Sequence, residues 1–319
     1  MNFAFLVDRY DQWHIEKDTS FALMLGAERK GHHVYRFFTN TITLEDGKVF
    51  VRAEHVRPQK NKTQPFLVQG TIRLSAEDID VLFIRTDPPF DNTYLMTTWL
   101  LDHLPERIPV INKPAGIRAC NEKIWAMQFA DLIPPTLVTG NEAEMDIFIQ
   151  RHENVIVKPT DSFGGQGVHL LKPHSEERHQ ILAGLSQNFT KEIILQKYLP
   201  EAEQGDKRIL LLNGEPLGAV LRVHAADDFR NNFMAGGKPH PAKITERDEE
   251  IIRHLKPHLQ KLGLYFVGID IIGPYLTEVN VTSPTCLQEI NTIENAQLED
   301  KVIAFAEKCV DQARNLPKI

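Results

Sequence analysis

Cysteine is scarce: Cys120, Cys286 and Cys309 are the only three in 319 residues, and they lie far apart without a CxxC pair. That spacing suggests neither a disulfide framework nor a zinc cluster, and a reducing cytoplasm fits it best. Long hydrophobic runs are missing as well. The apolar opening stretch, residues 1–7, carries no basic leader and is too short for a signal-peptide core or a bilayer span, so neither export nor a membrane anchor is expected. There is no Lys/Arg-rich block either. Acidic residues outnumber basic ones, 43 to 36, for a formal net charge of −7, which disfavours a nucleic-acid partner. Internal repeats and low-complexity tracts are absent. What is present is ordinary globular composition, 42% hydrophobic and 25% charged, which excludes disordered, collagen-like and coiled-coil chains. A chain of 319 residues has room for two or three packed units and is long enough to be an enzyme.

The first third alternates short apolar runs with helical pattern: 3–7, then 19–30 stopped by Gly31, then 34–38, and later 81–84. This punctuation predicts βαβ units, with Asp18 as the N-cap of a crossover helix, and so a small α/β domain over residues 1–120. Residues 40–75 are polar, with Pro58 and Pro65, and read as a loop-rich insertion or irregular hairpin. A short amphipathic helix is expected at 122–131 and another helix at 141–152. Beyond them the chain reads as strands at 155–158, 168–171, 193–198, 209–212, 217–223, 265–272 and 275–281, with helices near 175–187, 245–262 and 296–313, an α+β body.

The strongest local feature is Val155-Ile-Val-Lys158-Pro159-Thr160-Asp161-Ser162-Phe163-Gly164-Gly165-Gln166-Gly167-Val168. A lysine ends an apolar strand, three glycines fill the connection, and a second strand follows. Glycine admits positive φ, and consecutive amide N–H groups in such a loop form a nest for an anion, phosphate above all. Because a strand follows rather than a helix, this is neither a Walker loop nor a dinucleotide turn. A plain hairpin with glycine turn chemistry is the alternative. In Asp270-Ile-Ile-Gly273-Pro274-Tyr-Leu-Thr-Glu278-Val279-Asn280, a turn at Gly273-Pro274 would bring Asp270 near Glu278 and Asn280, which share a strand face. Carboxylate and amide oxygens suit Mg²⁺; solvent-facing polar positions are the alternative. Arg208, Arg222 and Arg230, between the two features, offer guanidinium forks for carboxylate or phosphate, or are surface residues. The stretch around Gly236-Gly237 reads as a lid or simply a loop.

In combination, the glycine hairpin, the strand lysine, Gln196-Lys197-Tyr198-Leu199-Pro200 and the Asp270, Glu278, Asn280 set resemble the ATP-grasp superfamily. Within it the chain resembles the bacterial glutathione synthetase family, through Lys17-Asp-Thr-Ser-Phe-Ala, Arg85-Thr-Asp-Pro-Pro-Phe-Asp91, Asn112-Lys-Pro, Cys120-Asn-Glu-Lys123, Gly205-Asp-Lys-Arg208, Ala235-Gly-Gly237, Phe266-Val-Gly-Ile-Asp-Ile-Ile-Gly273 and Leu276-Thr-Glu-Val-Asn-Val-Thr-Ser-Pro-Thr285. These motifs are short, but they run in order over nearly the whole chain.

The resemblance implies an α/β N-terminal domain (1–120) followed by an α+β ATP-grasp body (121–319), whose lid subdomain is 121–200 and whose C-terminal metal and substrate subdomain is 201–319. It implies Lys123 and Lys158 on the ATP phosphates beneath the Gly164, Gly165 and Gly167 loop. Gln196, Lys197 and Leu199 would flank adenine, with Asp206 near the ribose. Asp270, Glu278 and Asn280 would hold two Mg²⁺, with Mn²⁺ as a substitute, and Arg208 would face the reacting phosphoryl group. Arg222, Arg230, Asn232, Ser283 and Thr285 would hold the dipeptide or its acyl phosphate, and Cys286 would be a packed residue. The implied reaction joins γ-glutamylcysteine to glycine at the expense of ATP, in a cytoplasmic homotetramer. The chain departs from the family pattern at Asp161-Ser162 and between Val223 and Asn232. Another carboxylate–amine ligase of the same fold, and a nucleotide-binding module without turnover, are the alternatives.

Overall fold

The computed structural model describes residues 1–9, 14–172, 174–224, 231 and 236–315. Three sheets organise the chain. The first holds β1 (Asn2–Val7), β2 (His33–Phe37), β3 (Ile42–Glu45), β4 (Lys48–Pro58), β5 (Phe66–Ser75), β6 (Val81–Arg85) and β7 (Val110–Ile111), in the order β3-β4-β2-β1-β6-β7 with β5 on the other edge of β4. Strands β2, β1, β6 and β7 are parallel, which requires crossovers: α1 (Thr19–Arg29) joins β1 to β2, and α2 (Asn92–Leu101) lies between β6 and β7. Asp18 caps α1 by accepting from the Phe21 amide, as its sequence position predicts. Gly31, at φ +80°, turns the chain away after the helix.

Of the two readings of residues 40–75, the structure shows the hairpin: β4 spans eleven residues and β5 ten, paired antiparallel with one register shift and attached to the parallel sheet. Val49, Val51 and Ala53 alternate into the core. An irregularity at His55/Val56 breaks the period, and β5 is exposed along most of its length, so it lacks an apolar face for the sequence to show.

The second sheet, β10-β9-β11-β8, comprises β8 (Thr136–Thr139), β9 (Val155–Pro159), β10 (His169–Leu171) and β11 (Ile193–Lys197). It packs against α4 (Glu142–His152) and α5 (Arg178–Leu185) around its own core of Met145, Phe148, Ile149, Val155, Val157, Leu171, Leu182, Ile193 and Leu195. The third sheet is antiparallel, β14-β13-β12-β15-β16, from β12 (Asp206–Leu212), β13 (Glu215–Val223), β14 (Lys238–Pro241), β15 (Phe266–Ile272) and β16 (Tyr275–Asn280). Its apolar side buries Ile209, Leu211, Val267, Ile269 and Val279 against Ile251, Ile252, Leu255 and Leu259 of α6 (Glu246–Leu262). Thr245 and Asp248 cap that helix reciprocally. At the other end of the sheet α7 (Leu287–Glu294) and α8 (Leu298–Arg314) pack with α1 in a second core that also contains Phe3, Phe5 and Phe83.

The first and third sheets are joined by Asn112, which follows β7 and precedes the short α3 (Pro114–Ala119). Its amide donates to the carbonyls of Phe266 (2.8 Å) and Val281 (2.7 Å) and accepts from the amides of Tyr265 (2.7 Å) and Phe266 (2.8 Å), a full set of four bonds in a buried place. Asn112→Ala would strand four buried backbone groups and is expected to lower unfolding stability by about 3 kcal/mol or more. Urea denaturation would measure it.

The expected helix at 122–131 is replaced by a turn and a short 3₁₀ segment, Trp125–Gln128. The Asn121 side chain takes the amides of Lys123 and Ile124, and the Glu122 carbonyl accepts from Val279 of β16, so these groups are bound outside an α-helical ladder.

Candidate active site

The second and third sheets face each other across a cleft. Its walls include Lys123, Ile156, Lys158, Phe163, Gly164, Gly165, Gln196, Lys197, Leu199, Asp206, Asp270, Ile272 and Glu278. On the side of the second sheet, β9 and β10 form the expected hairpin, with Val157 opposite His169. The connection between them places Gly164, Gly165 and Gly167 at φ +63°, +81° and +68°, conformations that cost a side chain strain. Gly167 packs on Pro159 instead of facing the cleft; a Cβ there would sit 2.9 Å from the proline ring. Lys158, at the end of β9, is 3.4 Å from Gln196 Oε1 on β11, and Gln196 donates its Nε2 to Thr136 Oγ1 at 2.9 Å. Burial lowers the Lys158 ammonium; Glu278 opposes this and Lys123 adds to it.

On the floor, cross-strand register does the assembly. Arg208 stands opposite Asp270, Asp270 opposite Glu278, Asp206 opposite Arg222, and Gly268 opposite Asn280. Arg208 grips Asp270 with both arms of its fork, Nη2 to Oδ2 at 2.7 Å and Nε to Oδ1, while Arg222 reaches Asp270 at 3.0 Å and also pairs with Asp206. Gly268 leaves the room this needs, since a Cβ there would lie 3.1 Å from Arg208 Cδ. Asn280 Nδ2 points at Asp270 Oδ2, 3.4 Å away, and Glu278 meets Lys123 at 3.3 Å. Lys123 also donates to the Ser162 carbonyl, which links the floor to the glycine loop.

Burial alone would raise the Asp270 carboxyl, but Arg208 and Arg222 outweigh it and hold the group well below the usual carboxylate range. Asp206 moves the other way. Burial and the neighbouring Asp270 charge push it up to about 6 despite Arg222 and Arg208, and its Oδ1 is buried without a hydrogen-bond partner among the described residues. Since the folded chain keeps this proton to about pH 6 and the unfolded chain releases it near 3.8, the contribution to stability is full below about pH 4 and fades as pH rises through 6. Asp206→Asn is expected to flatten that part of the melting-temperature profile between pH 4 and 7, measured by calorimetry.

The residues read as ligand-binding are therefore split into neighbouring groups. The nucleotide candidates, apart from Gly167, line one cleft with Asp270 and Glu278, and Arg208, Arg222 and Asn280 lie in the floor beside it. Ser283 and Thr285 sit on the segment after β16. Ser283 Oγ is 3.4 Å from the Arg85 carbonyl, and the Arg85 guanidinium donates to the Pro284 carbonyl at 2.9 Å and to Ser20 Oγ at 3.0 Å, so this segment meets the end of β6 and the start of α1. Arg230 and Asn232 lie outside the described residues. Cys286 is buried, and burial pushes its thiol up although Arg208 and Arg222 pull it down, which suits a packed residue better than a nucleophile. Ile156, Phe163, Val168 and Ile272, which give the cleft its apolar wall, lie within the two motifs but are not singled out there, because an apolar side chain carries no signature of ligand contact.

Asp270, Glu278 and Asn280 form a hard-oxygen donor set of the kind Mg²⁺ accepts, with water and phosphate oxygens completing the shell. No group of three or more His, Cys, Asp or Glu side chains suited to a metal occurs among the described residues; Asp270 is engaged by Arg208 and Arg222 and Glu278 by Lys123, and the amide of Asn280 would be a third donor beside them.

This fold is that of the ATP-grasp ligases. A D-cycloserine synthetase, DcsG, superposes with a TM-score of 0.68 over 96% of this chain and 99% of its own, at 16% identity. The macrocyclase MdnC of Microcystis aeruginosa, in complex with its precursor peptide MdnA, gives 0.64 over 98% and 100%, also at 16%. The sequence is more specific. The prokaryotic glutathione synthetase N-terminal domain matches residues 1–118 and the ATP-grasp domain of the same enzymes matches 122–295. The chain is 38% identical to the glutathione synthetase of Mesorhizobium japonicum, over 93% of this chain and 95% of that one, and 38% identical to that of Synechococcus elongatus, over 98% and 100%. The chain belongs to the prokaryotic glutathione synthetase family and is an ATP-dependent ligase.

Proposed function

We propose that the protein joins γ-glutamylcysteine to glycine, forming glutathione with release of ADP and phosphate. The observation that carries the site reading is the convergence on one cleft of two lysines, a positive-φ glycine loop and a row of carboxylates, in a chain of this family. The dipeptide carboxylate attacks the γ-phosphorus of ATP, ADP leaves, and the glycine amine then attacks the acyl phosphate and expels phosphate. A protein nucleophile is unnecessary. Lys123 and Lys158 would neutralise phosphate oxygens, and such anions would raise the Lys158 ammonium that burial now lowers. Asp206, with its unpartnered Oδ1, suits a ribose hydroxyl. Gln196, Lys197 and Leu199 would flank the base.

Arg208 would offset charge on the transferring phosphoryl group, and Arg222, whose Nε is buried without a hydrogen-bond partner among the described residues, is a candidate for the dipeptide carboxylate, with Arg230, Asn232, Ser283 and Thr285 completing that site. Bound at Asp270, Glu278 and Asn280, Mg²⁺ or Mn²⁺ would reduce repulsion between the carboxylate and the polyanionic nucleotide. The glycine loop would close over the phosphates and exclude water. The division into domains at 120/121 with a lid to residue 200, the homotetrameric assembly and a cytoplasmic location belong to the same proposal. Among the described residues, no helix is long and apolar enough to cross a membrane.

The test is release of ADP and phosphate from Mg-ATP with γ-glutamylcysteine and glycine, added singly and together, the product being identified by mass. Release that needs both, with glutathione formed, is the expected result. Turnover only with another acyl donor or amine would overturn the substrate assignment.

A further inference from the structure

Strand β16 carries both Glu278 and Asn280, yet it is the outermost strand of the third sheet, and one of its edges has no strand partner there. An edge strand left to itself exchanges its hydrogen bonds with water, a poor mount for groups that must be held within about 0.5 Å. In this molecule the Leu132 carbonyl accepts from the Leu276 amide at the start of that edge, at 2.8 Å, and Glu122 occupies its end. The Glu122 carbonyl accepts from the Val279 amide at 2.8 Å. Its carboxylate Oε1 accepts from the Val281 amide at 2.7 Å, the Thr282 amide at 2.9 Å and Thr282 Oγ1 at 2.9 Å. These bonds fall at 279, 281 and 282, on both sides of Asn280 and directly beyond Glu278. Next in the chain, Lys123 contacts Glu278 at 3.3 Å. Glu122 thus holds the end of the strand that presents two candidate metal donors and leads into the Ser283–Thr285 segment, while Leu132 holds its start.

We propose that Glu122 is a positioning residue for the ligation reaction. Through its carboxylate it locks the end of β16 and thereby sets the placement of Asn280 and of the segment that follows. The role requires an acceptor oxygen at this position. A glutamine Oε1 could accept the same three bonds, whereas alanine could accept none of them. The inference rests on reading Glu278 and Asn280 as metal donors, and the two can fail separately.

The experiment compares Glu122→Ala, Glu122→Gln and Thr282→Val with the unaltered full chain, at a temperature well below the melting point of each. It measures kcat, the Mg²⁺ concentration for half-maximal rate, and the affinity for ADP in EDTA. Loss of groups that orient metal ligands typically costs about 10–100-fold in metal affinity or activity. Glu122→Ala is expected to raise half-saturating Mg²⁺ about tenfold and lower kcat by a similar factor, with metal-free ADP affinity within about twofold of the unaltered protein. Glu122→Gln should restore both parameters to within about threefold. Thr282→Val, which removes one of the three side-chain bonds, should raise half-saturating Mg²⁺ about threefold, and it decides the matter if the alanine variant does not fold. Wild-type Mg²⁺ response in Glu122→Ala, or in Thr282→Val where the alanine variant is insoluble, would overturn the proposal. So would a glutamine variant as damaged as the alanine one, since charge and not hydrogen bonding would then be the requirement. Failure of the metal reading would show instead as an intact Mg²⁺ requirement and turnover in Glu278→Gln.

Discussion

Glu278→Gln is expected to reduce kcat about a thousandfold while leaving the protein folded. The substitution keeps the shape of the side chain and removes one of the two carboxylates in the proposed donor set. It also removes the counter-charge of Lys123, but that pair is not sealed from solvent, with the glutamate side chain 20% exposed. Stability should therefore change by less than about 1 kcal/mol. Steady-state rates across a Mg²⁺ titration, together with a melting curve, test both halves. Turnover retained at ordinary Mg²⁺ would sink the metal assignment of this residue; a collapsed melting curve would show that the pair is structural.

Arg208→Met is expected to do double damage. It deletes the group placed to meet the phosphoryl oxygens, for an activity loss of about a thousandfold, and it leaves Asp270 buried with only Arg222 beside it, which should cost about 3 kcal/mol of stability. Arg208→Lys separates the two effects. The ammonium keeps the charge but cannot make the two parallel bonds to Asp270, so most stability should return while activity stays depressed by about 100-fold. The acid side of the stability profile should respond as well. A carboxyl held below its ordinary range contributes stability above its unfolded value, lost as pH falls through the folded one. With Arg208 gone, Asp270 should rise, and that loss should begin at higher pH. Rates for both variants and melting temperatures from pH 3 to 8 check this.

What the sequence made legible follows from which forces are local. The crossover helix after β1 is legible through Asp18 and Gly31, and the glycine loop between β9 and β10 through its lysine and glycines, because caps and positive-φ turns are written in adjacent residues. The turn at Gly273-Pro274 made the approach of Asp270 to Glu278 and Asn280 foreseeable, and the register of β15 on β16 places them there. The segment 122–131 could not be read so, since its backbone and the Glu122 side chain bond to Val279, Val281 and Thr282, about 160 residues away in the longest of these contacts. For residues 40–75 the hairpin stayed one of two readings because β5 shows no buried face. The subtler loss concerned Asp206, Arg208, Arg222 and Asp270. The family resemblance assigns them separately to ribose, phosphoryl, dipeptide and metal contacts. Cross-strand pairing puts them in one ionic network, so changing any of them alters the charge felt by the other three.

The separate core of the second sheet bears on how the chain divides. The two family models meet near residue 120, and the sheets on either side of that boundary, the first and the third, share two continuous cores and are pinned by Asn112. The part of the chain with a core of its own is the four-stranded sheet, whose nine core residues are separate from the two cores that the other sheets share. The enzyme is thus one block made from both ends of the polypeptide, with a separately cored unit set between them.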